Sequence, residues 1–203
     1  PGEDFDVEVF NLEAAKLESV LQQLAPFSRV GKSFGIYKLA GWPVDVGLPR
    51  RERKKGDGHR GFEVDIDPGM SIEEASRRRD FTINALYYNI EDFSVVDNTN
   101  GMADLEAGLL RVIGDPEQRF REDPVRMLRA IRFAAKIGFR IDEASEAKIF
   151  ELGHLLADIP AARLFDEVLK LFMGGCAVQT FELLRHYNMF EHLFPQTEAN
   201  LAA

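Results

Sequence analysis

The sequence predicts an α+β fold, in which a mixed sheet with helices is followed by an all-helical region. Short β-like runs alternate with helix-like segments up to about residue 115, and beyond it apolar residues recur at helical spacing. The chain has 203 residues, of which 45% are hydrophobic. This is enough to bury a real core in one large or two small domains.

The first half of the chain supplies the predicted strands. Asp4 to Phe10 has the pattern of a strand, and Val44 to Val46 is a short β-branched stretch. Between them, one helix face is predicted to carry Leu17, Val20, Leu21 and Leu24, and Pro26 ends that helix. Sheet residues and helix residues therefore alternate here.

The second half is predicted to be helical. Phe81 to Tyr88 is apolar with no decisive period, and Val95 to Asp97 fits an edge strand. From Asp123 the pattern is clearer, because Pro124 suits the first helical turn and apolar residues continue to a stop at Gly138. Further helices are predicted over Ala144 to Leu156, Ala161 to Met173 and Val178 to Tyr187.

Composition excludes several classes of protein. A net charge of −9 argues against the whole chain being a non-specific nucleic-acid binder, although Arg50 to Arg60 and Arg77 to Arg79 are locally basic. The stretch from Lys54 to Gly61 is predicted to be a loop. One cysteine, Cys176, excludes an internal disulfide and a cysteine-cluster zinc site. With no signal peptide and no membrane-spanning run, a cytoplasmic protein is expected.

Three aspartates form a candidate metal site. Asp4 and Asp6 lie two apart on a predicted strand, so their side chains share a face and repel each other unless a cation lies between them. Asp-x-Asp also occurs by chance, in nucleotide-sugar transferases and in phosphatases. Asp45, between Val44 and Val46, is the best third carboxylate, because a buried aspartate needs a metal, a cation or hydrogen bonds.

Ordered motifs carry a family resemblance. Asp4-Phe5-Asp6-Val7 is followed by Arg78-Arg79-Asp80-Phe81-Thr82-Ile83-Asn84-Ala85 and by Glu122-Asp123-Pro124-Val125-Arg126-Met127-Leu128-Arg129. Gly101 to Leu105 and Arg163 to Glu167 add two shorter segments. Together these resemble the bacterial-type (class II) tRNA nucleotidyltransferase (CCA-adding enzyme) and poly(A) polymerase family. The resemblance implies a polymerase-beta-like palm over residues 1–115, a helical neck that recognises the nucleotide base over 116–175, and the start of a helical body over 176–203.

The resemblance also implies site residues. Asp4 and Asp6 would hold Mg²⁺, with Asp45 as the third catalytic carboxylate. Six residues would bind the incoming nucleotide: Arg79, Asp80, Asn84, Asp123, Arg126 and Arg129. Arg79, Asp80 and Asn84 would contact its ribose and phosphates. Asp123 and Arg126 would read the base of CTP or ATP, although an Asp before Pro is also what an ordinary helix cap looks like.

The implied activity is template-independent nucleotide addition to an RNA 3′ end, with ATP and CTP as substrates and tRNA as the expected RNA. Residues 44–84 look more like CCA-adding enzymes, and residues 120–195 look more like bacterial poly(A) polymerases, so poly(A) synthesis is the alternative. The family's glycine-rich turn and Arg-Asp pair do not precede Asp4, since only three residues do. A non-catalytic nucleotide- or RNA-binding remnant is therefore a third hypothesis, and this chain alone is expected to be truncated or inactive.

Overall fold

The computed structural model describes residues 5–30, 35–54 and 62–201, with residues 52–54 and 62–64 described by their backbone alone. Asp4 and most of the predicted loop from Lys54 to Gly61 lie outside the described residues. The chain divides into two compact units, Pro1–Ala75 and Ser76–Ala203, which we call unit 1 and unit 2. The division falls before the change of sequence pattern near residue 115.

Unit 1 contains a mixed sheet. Its strands are β1 (Phe5–Glu8), β2 (Phe27–Val30), β3 (Ile36–Leu39) and β4 (Val44–Gly47). Among the described residues the strand order is β1-β4-β3-β2, with β1 parallel to β4 and the other neighbours antiparallel. Helix α1 (Ala14–Leu24) buries Leu17 and Leu21 in a core with Tyr37 and Val46. The predicted strands and first helix are confirmed, but the predicted apolar face was too wide, because Val20 and Leu24 are exposed.

A two-stranded ribbon follows the sheet in unit 1. β5 (Arg50–Lys54) and β6 (Phe62–Ile66) are antiparallel, with Arg50 opposite Ile66. The first part of the basic segment is therefore a strand. Arg51 donates to Asp67 at 2.6 Å and to Glu74 at 3.1 Å, the latter on helix α2 (Ile72–Arg77). These contacts anchor one arginine of the basic segment to two carboxylates.

Unit 2 begins with short elements. The apolar segment that the pattern left undecided forms a 3-10 helix (Thr82–Asn84) and strand β7 (Tyr87–Tyr88), which pairs with β8 (Val95–Val96). Helix α3 (Gly101–Ala107) follows, and β9 (Leu109–Leu110) pairs with β10 (Arg140–Ile141). Phe81 and Leu110 are fully buried in the same core as the later helices, which explains why these elements belong to unit 2.

The rest of unit 2 is helical apart from β10. The helices are α4 (Pro116–Glu122), α5 (Val125–Ile137), α6 (Glu143–Leu152), α7 (Ala161–Met173), α8 (Ala177–His186), α9 (Met189–Leu193) and α10 (Pro195–Leu201). Helix α5 packs on α4, α7 and α8 and buries Met127, Leu128 and Ile131 completely. It ends at Gly138, whose φ of +71° is left-handed.

The predicted helix from Ala144 to Leu156 is shorter than expected. Helix α6 ends at Leu152, and a 3-10 helix (Gly153–Asp158) continues the chain. Gly153 is buried against Met189, which leaves little room for a side chain. In the part of the chain that is described, no helix has the length and apolar character needed to cross a membrane. The predicted α+β class, a mixed sheet followed by helices, is confirmed.

Candidate nucleotide and metal sites

Two of the three predicted metal-site carboxylates lie side by side in unit 1. Asp6 on β1 is paired in register with Asp45 on the parallel strand β4. Directly paired residues on neighbouring strands point to the same face of a sheet. Asp6 is exposed and Asp45 is half-buried. Asp4 lies outside the described residues, so its place beside them stays a prediction.

The Asp45 carboxylate already has a cationic partner. Lys38, opposite Asp45 on the antiparallel strand β3, donates from Nζ to Oδ1 at 2.8 Å and to Oδ2 at 2.7 Å. The sequence required a metal, a cation or hydrogen bonds at Asp45, and Lys38 supplies the last two. No group of three or more His, Cys, Asp or Glu side chains with metal-binding geometry occurs among the described residues. Asp6 and Asp45 nevertheless offer the oxygen ligands that Mg²⁺ prefers.

Asp80 is the centre of a second constellation, in unit 2. Its Oδ1 accepts hydrogen bonds from the main-chain N–H of Phe81 at 2.9 Å and from Asn84 Nδ2 at 3.2 Å. Its Oδ2 accepts from both Nε (2.9 Å) and Nη2 of Arg129 on α5. Only 11% of the Asp80 side chain is exposed. The fold thus brings together three predicted nucleotide-binding residues from two distant motifs.

Arg79 lies beside Asp80 and contacts an aromatic ring. Its Nη2 donates to the hydroxyl of Tyr87 at 3.4 Å, and its guanidinium carbon lies 5.7 Å from the centroid of that ring. This geometry gives a weak hydrogen bond and a cation–π contact. Tyr87 therefore restricts the direction in which Arg79 can reach.

Asp123 ends α4 and precedes α5. Its Oδ1 accepts from the main-chain N–H of Val125 at 3.3 Å, and its Oδ2 accepts from Arg163 Nη2 on α7 at 2.7 Å. Oδ1 of Asp123 therefore acts as the predicted helix cap. Its other oxygen is held by a cation from a different helix, and 15% of the Asp123 side chain is exposed.

Arg126, the predicted partner of Asp123 in base reading, is largely buried. Its Nη1 donates to the main-chain oxygen of Arg119 at 2.8 Å and lies 3.5 Å from Glu122 Oε2. Burial lowers the pKa of the Arg126 guanidinium, and the nearby charge of Arg119 lowers it further. An uncharged base with acceptor atoms would complement such a donor.

The sequence analysis did not identify two arginines that contact the predicted nucleotide-binding segments. Arg163 binds Asp123, and Arg119 donates to the main-chain oxygens of Arg78 and Arg79. Arg163 begins a segment that carried part of the resemblance, which was the available signal. Arg119 had no comparable signal, because its role depends on main-chain carbonyls about forty residues away in the chain.

Protein-family models match two parts of the chain. Residues 3–111 match the poly(A) polymerase head domain. This chain belongs to that family. Residues 138–201 of this chain also match a second family model, described as a probable RNA- and SrmB-binding site of polymerase A. The family predicted from the sequence motifs is confirmed.

Relatives of this poly(A) polymerase head-domain protein include a poly(A) polymerase and a CCA protein. Poly(A) polymerase I of Haemophilus influenzae (strain ATCC 51907 / DSM 11121 / KW20 / Rd) is 42% identical over 205 residues, which cover 97% of this chain and 45% of the relative. The multifunctional CCA protein of Stenotrophomonas maltophilia (strain K279a) is 34% identical over 205 residues, which cover 98% of this chain and 48% of the relative. The chain thus spans less than half the length of these curated relatives.

Solved structures show the same fold. A tRNA nucleotidyltransferase complexed with a primer tRNA and an incoming ATP analogue superposes with a TM-score of 0.75 at 27% identity. The superposition covers 95% of this chain and 54% of that one. The predicted fold, a polymerase-beta-like head followed by a helical neck, is therefore confirmed.

Proposed function

We propose that this chain is the nucleotide-binding part of a template-independent RNA nucleotidyltransferase, which adds nucleotides to an RNA 3′ end. The observation that carries the proposal is the Arg129–Asp80 pair, which joins the two motifs predicted to bind the nucleotide. Membership of the poly(A) polymerase head-domain family supports it. The predicted head, neck and body ranges, 1–115, 116–175 and 176–203, are part of this proposal.

Nucleotide binding is assigned to residues of unit 2. Asp80 and Asn84 offer an acceptor and a donor for a ribose hydroxyl, and Arg79 offers a cation for a phosphate. Asp123 and Arg126 offer an acceptor and a donor for the edge of a base. Because Arg163 holds Asp123 and the main-chain oxygen of Arg119 holds Arg126, both side chains are oriented before a nucleotide arrives, which reduces the entropy lost on binding.

Metal binding is assigned to the carboxylates of unit 1. Asp6 and Asp45, with Asp4 as the third predicted carboxylate, would hold Mg²⁺. When bound, Mg²⁺ would activate the RNA 3′-hydroxyl and stabilise the leaving pyrophosphate. The Lys38 ammonium is hydrogen-bonded to both Asp45 oxygens. This lysine would therefore have to move, or to share the carboxylate with the metal. The chemistry of the oxygen ligands supports the assignment.

Poly(A) synthesis is the product that sequence identity favours. Over alignments of 205 residues, the Haemophilus influenzae poly(A) polymerase I is 42% identical and the Stenotrophomonas maltophilia CCA protein is 34% identical. We therefore propose ATP as the principal substrate. RNA is the proposed partner, and residues 138–201, which match a probable RNA-binding region, are the proposed contact.

CCA addition to tRNA is the second candidate. Its support is the likeness of residues 44–84 to CCA-adding enzymes and the fold shared with a tRNA nucleotidyltransferase bound to primer tRNA. Under this candidate, CTP and ATP would both be substrates, and Asp123 and Arg126 would accept either base.

The test is nucleotide addition by the complete gene product that contains this chain. It is incubated with Mg²⁺ and tRNA lacking its terminal C-C-A, with ATP alone or with CTP and ATP. Long A-only tails support poly(A) synthesis, and stops after ordered C-C-A addition support the second candidate. Nucleotide binding without any addition would support a non-catalytic remnant instead. Asp6→Ala should abolish addition, whereas Glu106→Ala, which removes an exposed carboxylate of unit 2 outside the proposed RNA contact, should not.

Binding is measured separately on this chain. ATP and CTP are titrated calorimetrically with Mg²⁺ into the unchanged chain and into the Asp123→Ala, Arg126→Ala double variant. Loss of binding in the variant is expected. Equal binding by both proteins would remove this pair from the nucleotide site.

The cytoplasmic location expected from the sequence stays a prediction.

A further inference from the structure

Arg119 on α4 holds the backbone that leads into Asp80. Its Nη2 donates to the main-chain oxygen of Arg78 at 3.2 Å and to that of Arg79 at 2.7 Å. Each terminal nitrogen of a guanidinium carries two N–H donors in a fixed plane, so Nη2 alone can serve both carbonyl oxygens and leave Nη1 for another acceptor. Arg119 therefore restrains the two peptide groups that directly precede Asp80.

The same residue also contacts the turn that carries Asp123 and Arg126. The Arg119 main-chain oxygen accepts from Arg126 Nη1 at 2.8 Å and from the Asp123 N–H at 3.2 Å. Its Nη1 donates to Glu122 Oε2 at 3.1 Å, and this carboxylate also contacts Arg126. Both predicted base-reading residues are thus bonded to the main-chain oxygen of Arg119, while its side chain reaches Arg78 and Arg79, so Arg119 connects the two segments.

The surroundings of Arg119 make these contacts strong. Its side chain is 17% exposed, and its Nε is buried without a hydrogen-bond partner among the described residues. Its charge also lies close to that of the buried Arg126. Burying two neighbouring cations costs free energy, which the bonds to Glu122 and to the two carbonyls offset. A lysine could not reproduce this forked arrangement.

We propose that Arg119 is a positioning residue, which holds the segment before Asp80 against the Asp123–Arg126 turn. The proposal rests on the proposed function, since it takes these two segments as the nucleotide site. Arg119 does not itself need to touch the nucleotide. Removal of its side chain would leave the Arg129–Asp80 pair to hold the two segments, so the backbone before Asp80 would move more freely and nucleotide binding would weaken.

Hydrogen exchange of this chain without nucleotide tests the positioning. Arg119→Ala and the milder Arg119→Lys are compared with Arg121→Ala, which removes an exposed arginine of the same helix that pairs with Glu117. Exchange in residues 76–84 and 119–129 should be about tenfold faster in Arg119→Ala and unchanged in Arg121→Ala. No change in these segments would overturn the proposal, and so would equal acceleration in 177–186, which would indicate general destabilisation.

ATP binding in the presence of Mg²⁺ tests the consequence for the site. Arg119→Ala should bind ATP about tenfold more weakly, Arg119→Lys should be intermediate, and Arg121→Ala should match the unchanged chain. Faster exchange with unchanged ATP affinity would contradict a role in the nucleotide site. If the unchanged chain bound no ATP, the proposed function would fail, while the exchange result would still decide whether Arg119 joins the two segments.

Discussion

Arg129 donates two hydrogen bonds to one carboxylate oxygen of Asp80, which lies 49 residues earlier in the chain. The other oxygen of Asp80 is held locally, by Phe81 and Asn84. Only 11% of the Asp80 side chain is exposed, against 35% for Arg129, so water screens this ion pair less than a fully exposed one. We therefore expect the pair to contribute to stability as well as to the proposed nucleotide site.

A double-mutant cycle should measure this pair. Asp80→Ala, Arg129→Ala and their combination are expected to give a coupling free energy of about 1.5 kcal/mol, since the bonds are charged and their acceptor is mostly buried. Urea unfolding at neutral pH supplies the values. The exposed pair Glu117–Arg121 on α4 is the control and should couple by about 0.3–0.5 kcal/mol. A coupling no larger than the control would show that Asp80 and Arg129 do not stabilise the fold together.

Lys38 should compete with a metal for Asp45. Lys38→Met removes the ammonium that binds both Asp45 oxygens, so affinity for Mg²⁺ should rise about three- to tenfold. Calorimetric titration of Mg²⁺ into this chain measures the change. Lys16→Met, at an exposed position of the same unit, should leave the affinity unchanged, and Asp45→Asn should weaken it. Equal affinities for the unchanged chain and Lys38→Met would mean that the lysine and the metal do not meet at Asp45.

Gly101 should not tolerate a side chain. A Cβ atom there would lie 2.4 Å from the main-chain oxygen of Thr82 and 2.9 Å from its carbonyl carbon. Because main-chain atoms cannot simply rotate away, Gly101→Ala should lower the free energy of unfolding by about 2–3 kcal/mol. At Gly174 the nearest atom would be 3.3 Å away, and Gly174→Ala should cost less than about 1 kcal/mol. Urea unfolding compares them, and similar losses at the two positions would argue against the clash.

Asp97 should stabilise the start of α3 in a pH-dependent way. Its carboxylate accepts from the N–H groups of Thr99, Gly101 and Met102. Burial alone would raise the pKa of Asp97, but the N–H groups of this turn outweigh it and hold the pKa below its ordinary value of 3.8. Asp97→Ala should therefore lower the free energy of unfolding by about 1–2 kcal/mol at pH 7.

The sign of the pH dependence follows from the lowered pKa of Asp97. The stabilisation is fully present above the unfolded-state pKa and is lost as pH falls through the lower folded-state pKa. The stability gap between the unchanged chain and Asp97→Ala should thus be constant above about pH 5 and narrow below pH 4. Asp158→Ala, at an exposed position, serves as the control. A gap that stayed constant down to pH 2 would contradict the role of the Asp97 charge.

Local sequence pattern predicted much of the fold because its signals act over a few residues. Pro26 follows α1 at a short distance, and Gly138 adopts the left-handed conformation that ends α5. The pattern was wrong about the length of α6, where a contact between Gly153 and Met189 lies outside any local window. It also left Phe81 to Tyr88 undecided, because that segment packs into a core formed by distant helices.

The sequence by itself determined the α+β class, the family and the residues proposed for the site, because ordered motifs and helical spacing are written in the chain. Only the tertiary structure decided their partners: Lys38 on Asp45, Arg129 on Asp80, and Arg163 on Asp123. It also revealed Arg119, whose acceptors are main-chain carbonyls. The physical reason is that charges pair by distance in space, and folding brings together groups whose separation along the chain carries no local pattern.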